Sequence, residues 1–130
     1  MCLLTYKVDV KIATEDIPCY KIVRISNENI LISIVQGFEY NLGETYDNGI
    51  PDPEKVPRHI TWWGGVRFGG GLFHSYSSPI NRQLDKDLKE VAVKCIIPKG
   101  AYYFDGCVSL SLIEGYASSK IKIVEIIATS

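Results

Sequence analysis

Apolar, β-branched and aromatic residues fall in short runs separated by turn residues, a pattern that predicts strands. Cys19 to Ile25 is one such run and Ile30 to Gln36 a second. Ser26-Asn27-Glu28-Asn29 lies between them and carries turn chemistry, because asparagine tolerates positive φ and serine and asparagine bond their own backbone. The two runs therefore read as a hairpin. Phe38 to Tyr46 continues the sheet, with Gly43 at a bend. Glu90 to Ile97 predicts a strand stopped by Pro98-Lys99-Gly100. Ala101 to Phe104 is a shorter extended piece closed by an Asp105-Gly106 turn. Cys107 to Ile113 and Lys120 to Ile127 come next, joined by residues 114–119. One stretch has another period. After the start signal Ser78-Pro79, Ile80, Leu84 and Leu88 recur every fourth position, which predicts a short amphipathic helix over 79–90. Asp47 to Arg58 carries three prolines and reads as a surface excursion, a lid over the neighbouring tryptophan-bearing stretch. The expectation is one α+β domain over 1–130. It is mostly antiparallel, with a split barrel- or sandwich-like sheet and one helix.

Composition narrows the function. At 130 residues the chain can bury roughly 65–70% of its unfolded surface without staples. Fourteen basic residues face fifteen acidic ones, for a net charge of −1. General nucleic-acid binding needs a basic face to displace counterions from phosphates, so this balance argues against it. Cys2, Cys19, Cys95 and Cys107 form no Cys-x-x-Cys pair. Cys19 and Cys95 sit inside apolar runs, where free cysteine behaves as a small buried hydrophobe, so the chain reads as reduced and cytoplasmic. The start has no charged segment leading into an apolar core, and no apolar run approaches the ~18–20 residues that span a bilayer. Neither secretion nor a membrane is expected.

Candidate chemistry concentrates between His59 and Tyr76, which holds both tryptophans, both histidines and five of the eleven glycines. Trp62 and Trp63 point to opposite sides of an extended chain, so one can enter the core while the other meets a flat ligand or a partner. The alternative is that both cap a sheet end. Gly69-Gly70-Gly71 lacks the Gly-Lys-Ser/Thr of a phosphate loop, yet its N–H groups could approach an anion; otherwise it is a turn. His74 reads as a structural histidine or a ligand contact, and His59 supplies no second metal ligand, so no metal and no cofactor are expected. Ser75, Ser77 and Ser78 lack the Gly-x-Ser-x-Gly context of a nucleophile. Arg24 and Lys94 lie mid-strand and need an anion only if they point inward.

The chain resembles small uncharacterised β-rich proteins of Bacteroidetes and their phages, through three sets of residues. The first is Lys11-Ile12-Ala13, Glu15-Asp16-Ile17 and Cys19-Tyr20-Lys21-Ile22. The second is Phe73-His74-Ser75-Tyr76. The third is Val93 to Gly100 with Tyr116 to Glu125. That resemblance implies no activity. In layout, Tyr20 to Arg24 is similar to the first strand of arginine-type ADP-ribosyltransferases, which ends in an NAD-binding arginine. Phe73 to Ser77 with the expected helix resembles their Ser-Thr-Ser strand, and Val93 to Tyr103 resembles their late strand and its Pro-x-Gly turn. Their catalytic glutamate would fall near Lys94. The departure removes the group that stabilises an oxocarbenium-like transition state, which implies binding of an NAD-like molecule without turnover.

The leading expectation is therefore a non-enzymatic binder of a small anionic nucleotide-like ligand, enclosed by Arg24, Trp62, Trp63, Arg67, Phe68, His74, Ser75 and Tyr76. The phage resemblance implies a sponge for a nucleotide immune signal. Two alternatives stand beside it. One is an ADP-ribosyltransferase-like or nucleotide-cleaving enzyme using Glu90 or His74. The other is an interaction module in which Trp62, Trp63 and Phe68 dock a partner or a second copy of the chain.

Overall fold

The computed structural model describes residues 3–5, 9–33, 37–62, 65–68, 71–80, 82–108 and 113–130. Its strands are β1 (Leu3–Thr5), β2 (Lys11–Ile12), β3 (Ile17–Ile25), β4 (Leu31–Ser33), β5 (Glu39–Tyr40), β6 (Thr45–Asp47), β7 (Arg58–Ile60), β8 (Val66–Phe68), β9 (Phe73–Tyr76), β10 (Glu90–Ile97), β11 (Tyr102–Val108), β12 (Ile113–Ser118) and β13 (Lys120–Thr129). A single 3-10 turn among the described residues, Pro53–Lys55, interrupts them. Hydrogen bonding runs in the order β6-β13-β10-β3-β9-β12-β11-β1-β8-β7, with β2 on β11 and β4–β5 branching from β3. Every pairing among the described residues is antiparallel, as the β-rich pattern predicts.

The centre is the β3–β10 ladder, which runs unbroken from Ile17↔Ile97 to Arg24↔Glu90. The Ile25 N–H donates to Lys89 O, so alternation makes Cys19/Cys95, Lys21/Val93 and Val23/Val91 the hydrogen-bonded pairs. Pro18 falls at the intervening position, where its missing N–H points away from β10 and costs the ladder nothing. One face of the ladder carries Cys19, Val23, Val91, Val93, Cys95 and Ile97 into a core completed by Ile121 and Ile123 of β13, Phe73 and Tyr40. A second core gathers Val56, Val66, Phe68, Leu72, Tyr102, Phe104 and Ala117. Phe73 belongs to the first core, and Ala117 lies opposite the next residue, His74, in the second, so the two cores occupy opposite faces where β9 and β12 pair.

The β3–β4 hairpin forms as expected. The Ser26 hydroxyl accepts from the N–H groups of Glu28 and Ile30, and Asn29 takes φ 62°. Residues 34–36 of the second run lie outside the described residues. Four other expectations are corrected. No helix forms among the described residues of 79–90, which leave out only residue 81. The Asp85 carboxylate accepts from the N–H groups of Asp87 and Leu88, Lys89 N–H donates to Lys86 O, and Lys89 turns to φ 53°. These local bonds draw the backbone donors into turns, and a stripe of three apolar residues buries too little to oppose them.

Asp105-Gly106 is not a turn: β11 runs straight through it. Gly106 lies opposite Gly115, where two small residues meet, and the exposed Asp105 pairs with Lys11 at 2.5 Å. Residues 114–118 are likewise strand, with only Ser119 between β12 and β13.

The proline-rich excursion is pinned down, unlike a lid. Val56 is buried, Arg58 donates to Pro53 O at 2.6 Å, and Tyr102 Oη donates to Ile50 O at 2.5 Å. Asn48 Nδ2 donates to Gly71 O at 2.8 Å. Gly71 has φ 91°, and a Cβ there would meet Pro57 Cδ at 3.2 Å, so this glycine is required where the excursion meets the β8–β9 connection.

Candidate functional site

The stretch from His59 to Tyr76 is three strands, with β7 and β8 forming a hairpin in the register Arg58↔Phe68, His59↔Arg67, Ile60↔Val66. Thr61 closes its tip by donating from both N–H and Oγ1 to Gly65 O, at 2.8 and 2.9 Å. Trp62 stands on this tip with 95% of its surface exposed, and Ile60 beside it is 70% exposed. Trp63, Gly69 and Gly70 lie outside the described residues. Because Thr61/Gly65 is a hydrogen-bonded pair, alternation turns the N–H and C=O of Ile60 away from β8. They point toward the outer edge of β7, the last strand on the sheet's path. The other face of the hairpin presents His59 and Arg67 side by side, both exposed.

The remaining expected residues do not join this tip. Phe68 is fully buried and stacks on Phe104 with ring centroids 4.3 Å apart, so it offers no surface to a ligand. His74 and Ser75 are buried on opposite faces of β9. Tyr76 is half-buried against the second core and pairs with Tyr20 and Gly115. Arg24 is exposed on β3, six strands away from β7 along the sheet, and has no ion pair among the described residues. Two open depressions, of about 400 Å³ beside Asn48, Ile50 and Tyr102 and about 340 Å³ beside Arg82, Ala92 and Ala128, are lined by none of the eight expected residues.

Glu90, the carboxylate of the enzyme alternative, is 4% exposed. Arg82 donates to both its oxygens at 2.9 and 3.1 Å, and Asp85 N–H donates to Oε1 at 2.8 Å. These bonds occupy the acceptors that a general acid/base would need. The hydrogen bonds from Arg82 hold the Glu90 carboxyl below its ordinary value, against the opposing effect of burial. Stability from this pair is fully present above the unfolded value near 4.5 and is lost as pH falls through the lower folded value. Glu90→Gln is expected to flatten the acid limb of stability below about pH 4.5, read as urea midpoints between pH 7 and pH 3. Parallel acid limbs in variant and parent would show that Arg82 and Glu90 are not coupled in solution.

Comparison of the chain with protein-family models, curated proteins and solved structures returns no match, so the site rests on its own geometry. No helix among the described residues is long and apolar enough to cross a membrane, and no cluster of three or more His, Cys, Asp or Glu among them could hold a metal ion.

A second cluster was not singled out from the sequence. Lys21 is 6% exposed and its Nζ donates to the His74 carbonyl, with the Tyr40 ring centroid 5.8 Å away. Burial pushes the Lys21 ammonium below its ordinary value. Two residues along the same face, Cys19 lies directly opposite Cys95, and both are fully buried. The Cys95 thiol donates to the Val93 carbonyl at 4.0 Å, and the neighbouring Cys19 together with burial pushes it above its ordinary value. The adjacent Cys95 thiol draws the Cys19 thiol below its ordinary value against the opposing effect of burial, helped by Ser75 and by the Lys21 charge. The Ser75 hydroxyl is buried and has no hydrogen-bond partner among the described residues. One sign was available: alternation places Lys21 between Cys19 and Val23, two inward positions of an apolar strand.

Proposed function

We propose that the protein is a non-enzymatic interaction module that takes an extended strand of a protein partner along the outer edge of β7, with Trp62 as the anchor. The observation that carries this reading is the 95% exposed indole on the hairpin tip. Single exposed apolar side chains are ordinary on protein surfaces. Here, however, tryptophan and Ile60 sit together at a sheet edge whose backbone groups point outward, the combination that strand addition uses. Main-chain bonds to Ile60 would align the added strand, and burial of Trp62 would supply most of the affinity.

A second reading draws on the other face of the same hairpin. The exposed pair His59 and Arg67, with no ion pair among the described residues, could meet the phosphates of an anionic nucleotide-like ligand stacked on Trp62. In that case the protein would sequester the ligand without cleaving it. A photo-crosslinking residue at position 62, irradiated in the native host cell, distinguishes the two. A protein adduct of defined mass, whether another protein or a second copy of the chain, is the expected result. A nucleotide released from the purified protein in native mass spectrometry, with no protein adduct, would replace this reading by the second.

A further inference from the structure

We infer that Cys19 and Cys95 are an oxidisable dithiol, closed by peroxide into a disulfide between β3 and β10, with the buried Lys21 ammonium stabilising the attacking Cys19 thiolate. The geometry rests on the ladder. The two cysteines are direct partners in an unbroken antiparallel register, their side chains leave the same face, and both are fully buried. A hydrogen-bonded antiparallel pair holds its Cα atoms about 5.5 Å apart, inside the 4.4–6.8 Å range of disulfides. Wide pairs set their Cβ atoms somewhat farther apart than a relaxed disulfide does, so the closed bridge is strained and easily reduced again. Behind Cys95 the β10–β13 ladder shifts register between Lys94 and Cys95, so β10 is held less regularly on that side when the strands draw together.

The chemistry balances with a peroxide as oxidant. The Cys19 thiolate attacks one peroxide oxygen, the O–O bond breaks, and hydroxide leaves a sulfenic acid on Cys19. The Cys95 sulfur then attacks the Cys19 sulfur and the S–O bond breaks, forming the disulfide. The two thiol protons end on the two departing oxygens as water, and the thiols lose two electrons to the peroxide. Lys21 sits two residues along the same face from Cys19 and has no carboxylate partner among the described residues, so its positive charge is available to the thiolate. Burial makes the reaction selective for small oxidants: Cys107, half-buried on β11, is open to larger reagents that cannot reach the pair.

Wild-type protein is treated with hydrogen peroxide, denatured, blocked with a maleimide and digested with trypsin. The expected product is a linked pair of peptides carrying Cys19 and Cys95, which separates on treatment with dithiothreitol. Both cysteines fully maleimide-blocked after Cys107 has been oxidised, or either one carrying added oxygen without a link, would overturn the proposal. Lys21→Met is expected to slow linking about tenfold, the effect of one unit in the thiol's proton affinity. An unchanged rate would remove Lys21 from the device. The wild-type measurement decides the disulfide itself, whether or not that variant folds.

Discussion

Phe104→Ala is expected to lower folding stability by about 3–5 kcal/mol, the usual cost of removing a buried phenyl ring. Phe104 is almost wholly buried, stacks on Phe68 at 4.3 Å and meets the edge of Tyr102 at 6.4 Å. The Arg58 guanidinium lies 5.2 Å from the Phe68 ring and 5.8 Å from that of Phe104. Arg58 also donates to Pro53 O and Val56 O, so the same guanidinium ties the proline-rich excursion to the second core. Truncation therefore opens a cavity and takes away half of the surface on which Arg58 rests. Urea unfolding followed by circular dichroism measures the loss as a fall in midpoint at constant slope. A change below about 1 kcal/mol would mean that this core collapses around the gap and is loosely packed.

Trp62→Ala is expected to do the reverse. Stability should stay within about 0.5 kcal/mol of the parent, because the indole is almost wholly in water. Affinity for the partner identified by crosslinking should fall at least about 30-fold, the loss of a central aromatic anchor worth 2 kcal/mol or more. Titration of the purified pair gives the affinity, and the same urea experiment gives the stability. Unchanged affinity would place the contact elsewhere on the surface. A stability loss comparable to that of Phe104→Ala would mean that Trp62 packs inward in solution.

The strands with continuous apolar runs were legible from sequence. β10 runs from Glu90 to Ile97 as expected, and β3 and β13 differ from expectation only at their ends. Such runs need no knowledge of their neighbours. What the sequence does not express is which strand lies beside which. Cys19 meets Cys95 across a ladder that joins distant parts of the chain, so the Cys19–Lys21–Cys95 cluster carries no local spacing and escaped a reading built on spacing. Lys21 is half an exception, since its place between two inward residues was visible.

The misread helix shows the opposite limit. Its fourfold period was real but rested on three apolar residues, while Asp85 and Glu90 had stronger local claims on the backbone. Asp105-Gly106 misled for a related reason: the pair favours a turn in isolation, but a glycine facing Gly115 is equally at home in a strand. The tryptophan stretch was right in its richness and wrong in its grouping, because period-two geometry sends Phe68 and Arg67, or His74 and Ser75, to opposite faces.

The β3–β10 ladder also fixes an order of events during synthesis. β3 leaves the ribosome by Ile25, but the strand that covers it is complete only at Ile97. At ordinary elongation rates of roughly 5–20 residues per second, that interval lasts about 4–15 s. Until then only the short strands β4 and β9 can pair with β3, and the edge of β3 that β10 will cover, with Cys19 and Lys21 on it, stands open. The chain is thus most exposed to holdase chaperones, to oxidants and to its own neighbours on the same message during those seconds.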